Sequence, residues 1–202
     1  SLYIADCRAL AEMAEILKRK KEQKELESRA KQYALKMEEL WSPEFGAYLN
    51  YRTDVDSLST RVSPTLFYPL MAKVGNDEKN EIIMEHFYNP EEFYGEWMLP
   101  STTRNDPTFS RQRYWKGAIW PPLNFLTYLS LRQAGYTDAA TELSEKSLKL
   151  IMTEWTRKGY VSENYSSITG TGDDSRLSSD RFHSWGALFG IISFIENGYL
   201  PK

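Results

Sequence analysis

One glutamate stands apart by its neighbours. Glu163 sits in Val161-Ser162-Glu163-Asn164-Tyr165, between an amide, an aromatic ring and hydroxyls. A carboxylate held this way can orient a water molecule and take its proton, which is general-base work. The alternative is an ordinary glutamate on a surface loop, because carboxylates gather at functional sites only as a statistical tendency. A second constellation is the aromatic run Tyr114-Trp115-Lys116-Gly117-Ala118-Ile119-Trp120. Sugar rings present C–H faces that lie flat on indole and phenol rings, and Tyr and Trp add a polar atom for hydroxyls. Tryptophan at a helix start is more commonly a core residue, so that alternative stands beside the first. Gly117 either lets a backbone approach another group closely or only serves a turn.

Other motifs point away from bound groups. Gly170-Thr171-Gly172 lacks the third glycine and the preceding strand of a dinucleotide fingerprint. Asp173 and Asp174 lack the regular oxygen spacing of a calcium loop. The single cysteine, Cys7, cannot form an internal disulfide, and two distant histidines make no Cys/His cluster for zinc. Neither a metal nor a cofactor is expected, so any chemistry must run on carboxylates, amides and aromatics. Asn164-Tyr165-Ser166 matches an N-glycosylation acceptor, which conflicts with a buried catalytic loop and is read as chance. His183, just before Trp185 at a helix start, reads as a structural hydrogen-bonding group.

Composition sets outer limits. With 25 basic and 28 acidic residues in 202 and a net charge of −3, the chain has no basic surface to track phosphates, and nucleic acid is excluded as a partner. The cluster Lys18-Arg19-Lys20-Lys21 with Lys24 reads as a solvated helix junction. A hydrophobic fraction of 41% supports a core without any apolar run long enough for a membrane, and no membrane partner is expected. The first ten residues lack the features of a signal peptide, and the compartment is left open.

The elements that must position these residues are helices. Leu2, Ala5, Ala9, Leu10, Met13, Ile16 and Leu17 recur at helical spacing, so the chain opens inside an uncapped amphipathic helix, and an N-terminal portion is expected to be missing. A second helix spans about 22–40, with Leu26, Ala30, Tyr33, Ala34 and Met37 as its apolar stripe. Pro43 and Gly46 force a turn into a short extended segment over 46–52, and helix resumes near Pro64. Further helices are expected over 77–87, 120–133 and 138–157. Pro121 and Pro122 open the second of these and Gly135 closes it, Asp138 caps the third, and Leu143, Leu148, Ile151, Met152 and Trp155 form the third's core face. Residues 159–180 show no periodicity, and structureless stretches beyond ~12–15 residues are usually functional or disordered. The last helix, about 182–197 with Gly198 ending it, is apolar on nearly all sides and should be deeply buried. About seven helices, joined alternately by short turns and long aromatic-rich loops, suit helical hairpins arranged in a ring with the site at the long-loop end.

Four blocks then occur in a familiar order: Leu99-Pro100-Ser101-Thr102, Tyr114 to Trp120, Glu163-Asn164-Tyr165 with Thr169-Gly170, and Phe182-His183-Ser184-Trp185-Gly186-Ala187-Leu188. Together they resemble glycoside hydrolase family 63, which is similar to processing α-glucosidase I and to mannosylglycerate hydrolases, and more distantly to trehalases. The resemblance is carried by residues 99–188 and is looser over the N-terminal helices. It implies an all-α fold, the (α/α)6 barrel or six-hairpin toroid, and hydrolysis of an α-glycosidic bond with inversion. It also implies Glu163 as the general base, Tyr114, Trp115 and Trp120 lining the sugar subsite, and Asn124, Tyr165, His183 and Trp185 supporting it. The expected partner is an oligosaccharide or glycoside substrate.

The family's general acid is an aspartate in a loop before the helix that resembles Leu2 to Leu17, and no such loop is present. Inversion needs two carboxyl groups ~6.5–9.5 Å apart, and each acid–base group contributes a factor of ~10² to 10⁴ in rate. Residues 1–202 are therefore expected to be the C-terminal segment of a longer (α/α)6 catalytic domain, with its acid elsewhere. A non-catalytic carbohydrate-binding or scaffold module is the alternative, and an all-α interaction domain with purely core aromatics is a third reading. An incomplete ring would expose apolar surface, so self-association is expected.

Overall fold

The computed structural model describes residues 1–200. The chain opens with a helical hairpin, α1 (Leu2–Ile16) packed on α2 (Lys20–Glu38). Two small antiparallel ribbons follow. β1 (Trp41–Ser42) pairs with β2 (Ala47–Tyr48), and β3 (Tyr51–Arg52) with β4 (Ser57–Leu58), so the region expected to be one extended segment is a pair of hairpins. A 3₁₀ turn over Pro64–Phe67 leads into the single turn α3 (Tyr68–Met71), then α4 (Asp77–Tyr88). Asn76 caps α4, accepting from the Lys79 N–H at 2.9 Å.

After a long loop come α5 (Pro121–Ala134), α6 (Thr137–Lys158) and, beyond a second long loop and a 3₁₀ turn over Ser184–Ala187, α7 (Leu188–Glu196). Prolines occupy the first turn of α5 as expected, and Gly135 ends it at φ +84°, a left-handed conformation that costs glycine little. Asp138 is not the cap of α6. Tyr136 holds that position and Asp138 lies in the first turn, where a carboxylate still faces the positive end of the helix dipole.

The core runs continuously from the first hairpin to α7. Phe67 meets Phe87 and Phe93 edge-on, at ring separations of 5.8 and 5.6 Å. Glu196 gathers the three C-terminal helices: its carboxylate accepts from Tyr128 at 2.6 Å on α5 and from Thr141 at 2.8 Å on α6.

Three faces depart from the sequence expectation. α1 buries Ile4, Cys7, Ala11 and Ala14, so the expected stripe lies largely outside, with Ile16 79% exposed and Leu10 and Met13 exposed as well. α6 buries Leu143 as expected but otherwise Ala139, Ala140, Ser144, Ser147, Leu150 and Glu154, leaving Leu148, Met152 and Trp155 exposed. α7 is apolar all round, yet it buries only Phe189, Ile192 and Ser193, and Phe194 is 52% exposed. The physical reason is common to all three. Each helix has two apolar faces, and the described residues supply a neighbour for one of them. No described helix is long and apolar enough to cross a membrane.

Candidate active site

The two long loops meet through backbone pairing. Ile119 forms the centre of a narrow three-segment ladder: it bridges to Pro100 on one side and to Tyr165 on the other. The Ser101 N–H donates to the Ala118 carbonyl at 2.9 Å, and Ile119 and Tyr165 exchange hydrogen bonds of 2.7 and 3.0 Å. Three of the four blocks are thereby laid side by side. The fourth joins through the other edge of the Glu163 segment, where the Phe182 N–H donates to the Val161 carbonyl at 2.8 Å and the Glu163 N–H to that of Asp180 at 2.9 Å. Gly186 presses on the same segment, since a Cβ there would lie 2.4 Å from the Ser162 carbonyl oxygen. The stretch over 159–180 lacks helix and strand, yet its backbone is held on both flanks.

Glu163 itself is mostly buried, with its side chain 14% exposed. One carboxylate oxygen lies 3.8 Å from His183 Nε2 and the other accepts from the Asn164 amide at 3.4 Å. His183 Nδ1 accepts from the Trp185 N–H at 3.4 Å, which places the ring proton of a neutral imidazole on Nε2, the nitrogen facing Glu163. Next to it, the buried Tyr165 hydroxyl accepts from the Ser162 N–H at 3.1 Å. Burial pushes the Tyr165 phenol up to about 12, so it stays neutral and closes the turn around the glutamate.

From His183 the aromatics run on without a break. Its ring is 5.2 Å from that of Trp185, Trp185 is 6.0 Å from Trp120, and Trp120 stacks on Trp115 at 3.9 Å with the planes 15° apart. Tyr114 stands edge-on to Trp120 at 5.0 Å. Trp120 is fully buried and its indole N–H donates to the Tyr114 carbonyl at 2.9 Å, whereas Tyr114, Trp115 and Trp185 are 48, 43 and 42% exposed. The arrangement is a layered platform, a buried indole carrying exposed rings, which one end of the run connects to Glu163. The purely core reading of the aromatics fails at these three exposed rings.

Asn124 stands apart from the platform surface. It is fully buried in α5, accepting from the Leu99 N–H at 2.7 Å and donating to the Leu99 and Trp120 carbonyls at 3.1 and 3.2 Å. Its amide is thus occupied in holding the Leu99-Pro100 block against the start of α5. Gly117 proves to be a close approach as well as a turn: it adopts φ +92°, and a Cβ would lie 2.4 Å from the Phe109 carbonyl oxygen.

Several positioning groups escaped the sequence reading. Buried Gln112 accepts from the Ser167 N–H at 2.9 Å and donates to the Phe109 carbonyl at 2.9 Å, tying the two long loops together. Arg104 donates to the carbonyls of Tyr94 and Trp97 at 2.9 and 2.7 Å. Burial lowers its pKa, and no carboxylate pairs with it among the described residues. Nothing in the spacing of either residue marks it. Buried Glu154 did leave a signal, since Leu143, Ser147, Leu150 and Glu154 share one helical stripe. Beside the platform runs a basic groove lined by Arg111, Arg113, Lys116 and Arg176. It adjoins both halves of the site: Lys116 follows Trp115, and Ser178, on its wall, accepts the Asn164 amide at 2.8 Å.

Helical hairpins thus carry an aromatic platform beside a held carboxylate. The chain belongs to the mannosylglycerate hydrolase MGH1-like glycoside hydrolase domain family, whose model matches residues 1–185. It is 30% identical over 128 residues to the mannosyl-oligosaccharide glucosidase of Saccharomyces cerevisiae, covering 56% of this chain and 15% of that protein. It is 27% identical over 178 residues to the mannosylglycerate hydrolase of Rubrobacter radiotolerans, covering 86% of this chain and 39% of that one. Its fold matches the GH63 mannosylglycerate hydrolase of Thermus thermophilus in complex with glucose, with a TM-score of 0.77 at 22% identity, over 94% of this chain and 45% of that chain. The chain thus spans less than half the length of each of these proteins.

Proposed function

We propose that this chain is the C-terminal part of the catalytic domain of an inverting α-glycosidase. In this reading Glu163 is the general base, Trp115, Tyr114 and Trp185 receive the sugar, and Trp120, Asn124, Tyr165 and His183 hold that surface in place. The observation that carries it is the unbroken run from Glu163 through His183, Trp185 and Trp120 to the exposed face of Trp115. A carboxylate joined to a sugar-sized aromatic surface can direct a water at the anomeric carbon of a ring seated there. The Asn164 amide and His183 Nε2 each face one oxygen of the Glu163 carboxylate and so orient it. The general acid that protonates the leaving oxygen is supplied from outside residues 1–202.

The relatives bear the names of a glucosidase and of mannosylglycerate hydrolases, so the sugar is read as α-linked glucose or mannose. The basic groove favours a carboxylate-bearing aglycone of the glycerate kind, since Arg111, Arg113 and Lys116 have no ion-pair partner among the described residues. Guanidinium groups suit bidentate pairing with a carboxylate.

Fluoride release from α-glucosyl and α-mannosyl fluoride tests the base directly, because fluoride departs with little help from an acid. The expected result is release by the chain that falls by about 10² or more in Glu163→Gln, with sugar binding retained. Equal rates in both proteins would remove Glu163 from the reaction. Sugar binding with no release from either protein would favour a carbohydrate-binding module.

A further inference from the structure

A buried carboxylate that this chemistry leaves unused lies beside the Glu163 loop. Glu154, near the end of α6, is fully buried, and a buried charge is tolerated only when paired and hydrogen-bonded. Its Oε1 accepts from Arg157 at 2.7 Å, and its Oε2 accepts from Lys158 at 2.6 Å and from the Gly172 N–H at 2.9 Å. Arg157 and Lys158 reach onward to Asp173, at 2.8 and 3.0 Å. These two cations hold the Asp173 carboxyl well below the usual carboxylate range, the Arg157 hydrogen bond contributing most. The end of a helix thereby grips residues 172 and 173 of the long loop.

What the grip sets is the segment bearing Glu163. Gly172 lies against Ser162 so closely that a Cβ on it would stand 2.0 Å from the Ser162 Oγ. Ser162 is pinned from other sides too: its N–H donates to the Tyr165 hydroxyl at 3.1 Å, and its carbonyl meets the Gly186 backbone. A displacement of Gly172 would therefore be passed to Ser162 and to the next residue, Glu163.

We propose that Glu154 is a positioning residue for Glu163, an ionic latch on α6 that fixes the loop through Gly172 and Ser162. The inference rests on the reading of Glu163 as the general base. Misplacing a reacting group by about 1 Å costs on the order of 10² in rate, so the latch would act on turnover more than on affinity.

Glu154→Gln keeps the side-chain size and removes the charge that holds Arg157 and Lys158. Amide hydrogen exchange over 161–166 and 170–174 should rise about tenfold or more in this variant, with α1 and α5 within about twofold of wild type. In fluoride release its kcat should fall about tenfold while KM stays within about threefold. Wild-type exchange over 161–166, or an unchanged kcat, would overturn the proposal. If Glu154→Gln does not fold, Asp173→Asn removes the outer partner at an exposed position and should raise exchange in the same two segments by about threefold or more. No change there would equally overturn it. Absence of fluoride release from the wild-type chain would defeat the Glu163 reading and the latch with it. Wild-type release that is insensitive to Glu154→Gln would defeat the latch alone.

Discussion

Trp115 and Trp120 stack at 3.9 Å, yet they should fail in opposite ways when replaced. Trp120 is fully buried beneath Tyr114, Trp115 and Trp185, so Trp120→Ala opens a cavity and should cost about 3–5 kcal/mol in urea unfolding. Trp115 exposes one face, so Trp115→Ala should cost about 1 kcal/mol or less while weakening sugar binding about tenfold or more. Fluorescence titration with α-glucosides and α-mannosides, set beside unfolding midpoints, separates the two. Unaltered affinity in Trp115→Ala would exclude its ring from the sugar surface. The same division between contact and support applies to Asn124, whose buried amide is occupied by Leu99 and Trp120. Asn124→Ala would be expected to move the Leu99-Pro100 block before it altered any sugar contact.

At the scale of elements, the clearest pH-dependent joint lies away from the site. His86 on α4 faces acceptors with both ring nitrogens, the Glu92 carboxylate at Nδ1 and the Phe45 carbonyl at Nε2, 3.0 Å away. Only a doubly protonated ring satisfies both. Burial opposes that charge, but Glu92 and the backbone carbonyls outweigh it, and the His86 pKa is raised. A raised folded-state value means the contribution is fully present below the unfolded value of about 6.5 and is lost as pH rises through the folded one. The thermal midpoint should therefore fall as pH rises above about 6.5, and the slope should flatten in His86→Gln. An identical slope in that variant would show that the joint between α4 and the β1–β2 turn does not titrate. The apolar pattern of α1, α6 and α7 carried a different kind of information. Helical spacing located each of them, but it could not say which of two apolar faces would find a neighbour, and on α1 the larger side chains are the exposed ones.

For the molecule as a whole, those faces carry a consequence. Leu10, Met13 and Ile16 on α1, and Leu148, Met152 and Trp155 on α6, are apolar residues left exposed at helical spacing. The isolated chain should accordingly self-associate. Sedimentation equilibrium should show mass rising with concentration, and Leu10→Lys combined with Met152→Lys should reduce that rise; a monomer at every concentration would refute it.

Local chemistry made much of this protein legible in advance. Apolar spacing, prolines at Pro121 and Pro122 and the left-handed Gly135 place the α5–α6 hairpin, and the residue types around Glu163 and Trp115 announce a carboxylate and an aromatic surface. These signals act over a few residues, where backbone sterics and side-chain chemistry are decided by immediate neighbours. Convergence was of another kind. Only the folded chain brings Ile119 between Pro100 and Tyr165, turns His183 toward Glu163, and buries Trp120 while exposing Trp115. Gln112, Arg104 and Glu154 acquire their roles the same way, from backbone groups on other segments. A buried polar group is defined by the partner that satisfies it, and that partner lies far away in sequence, where local spacing has no reach.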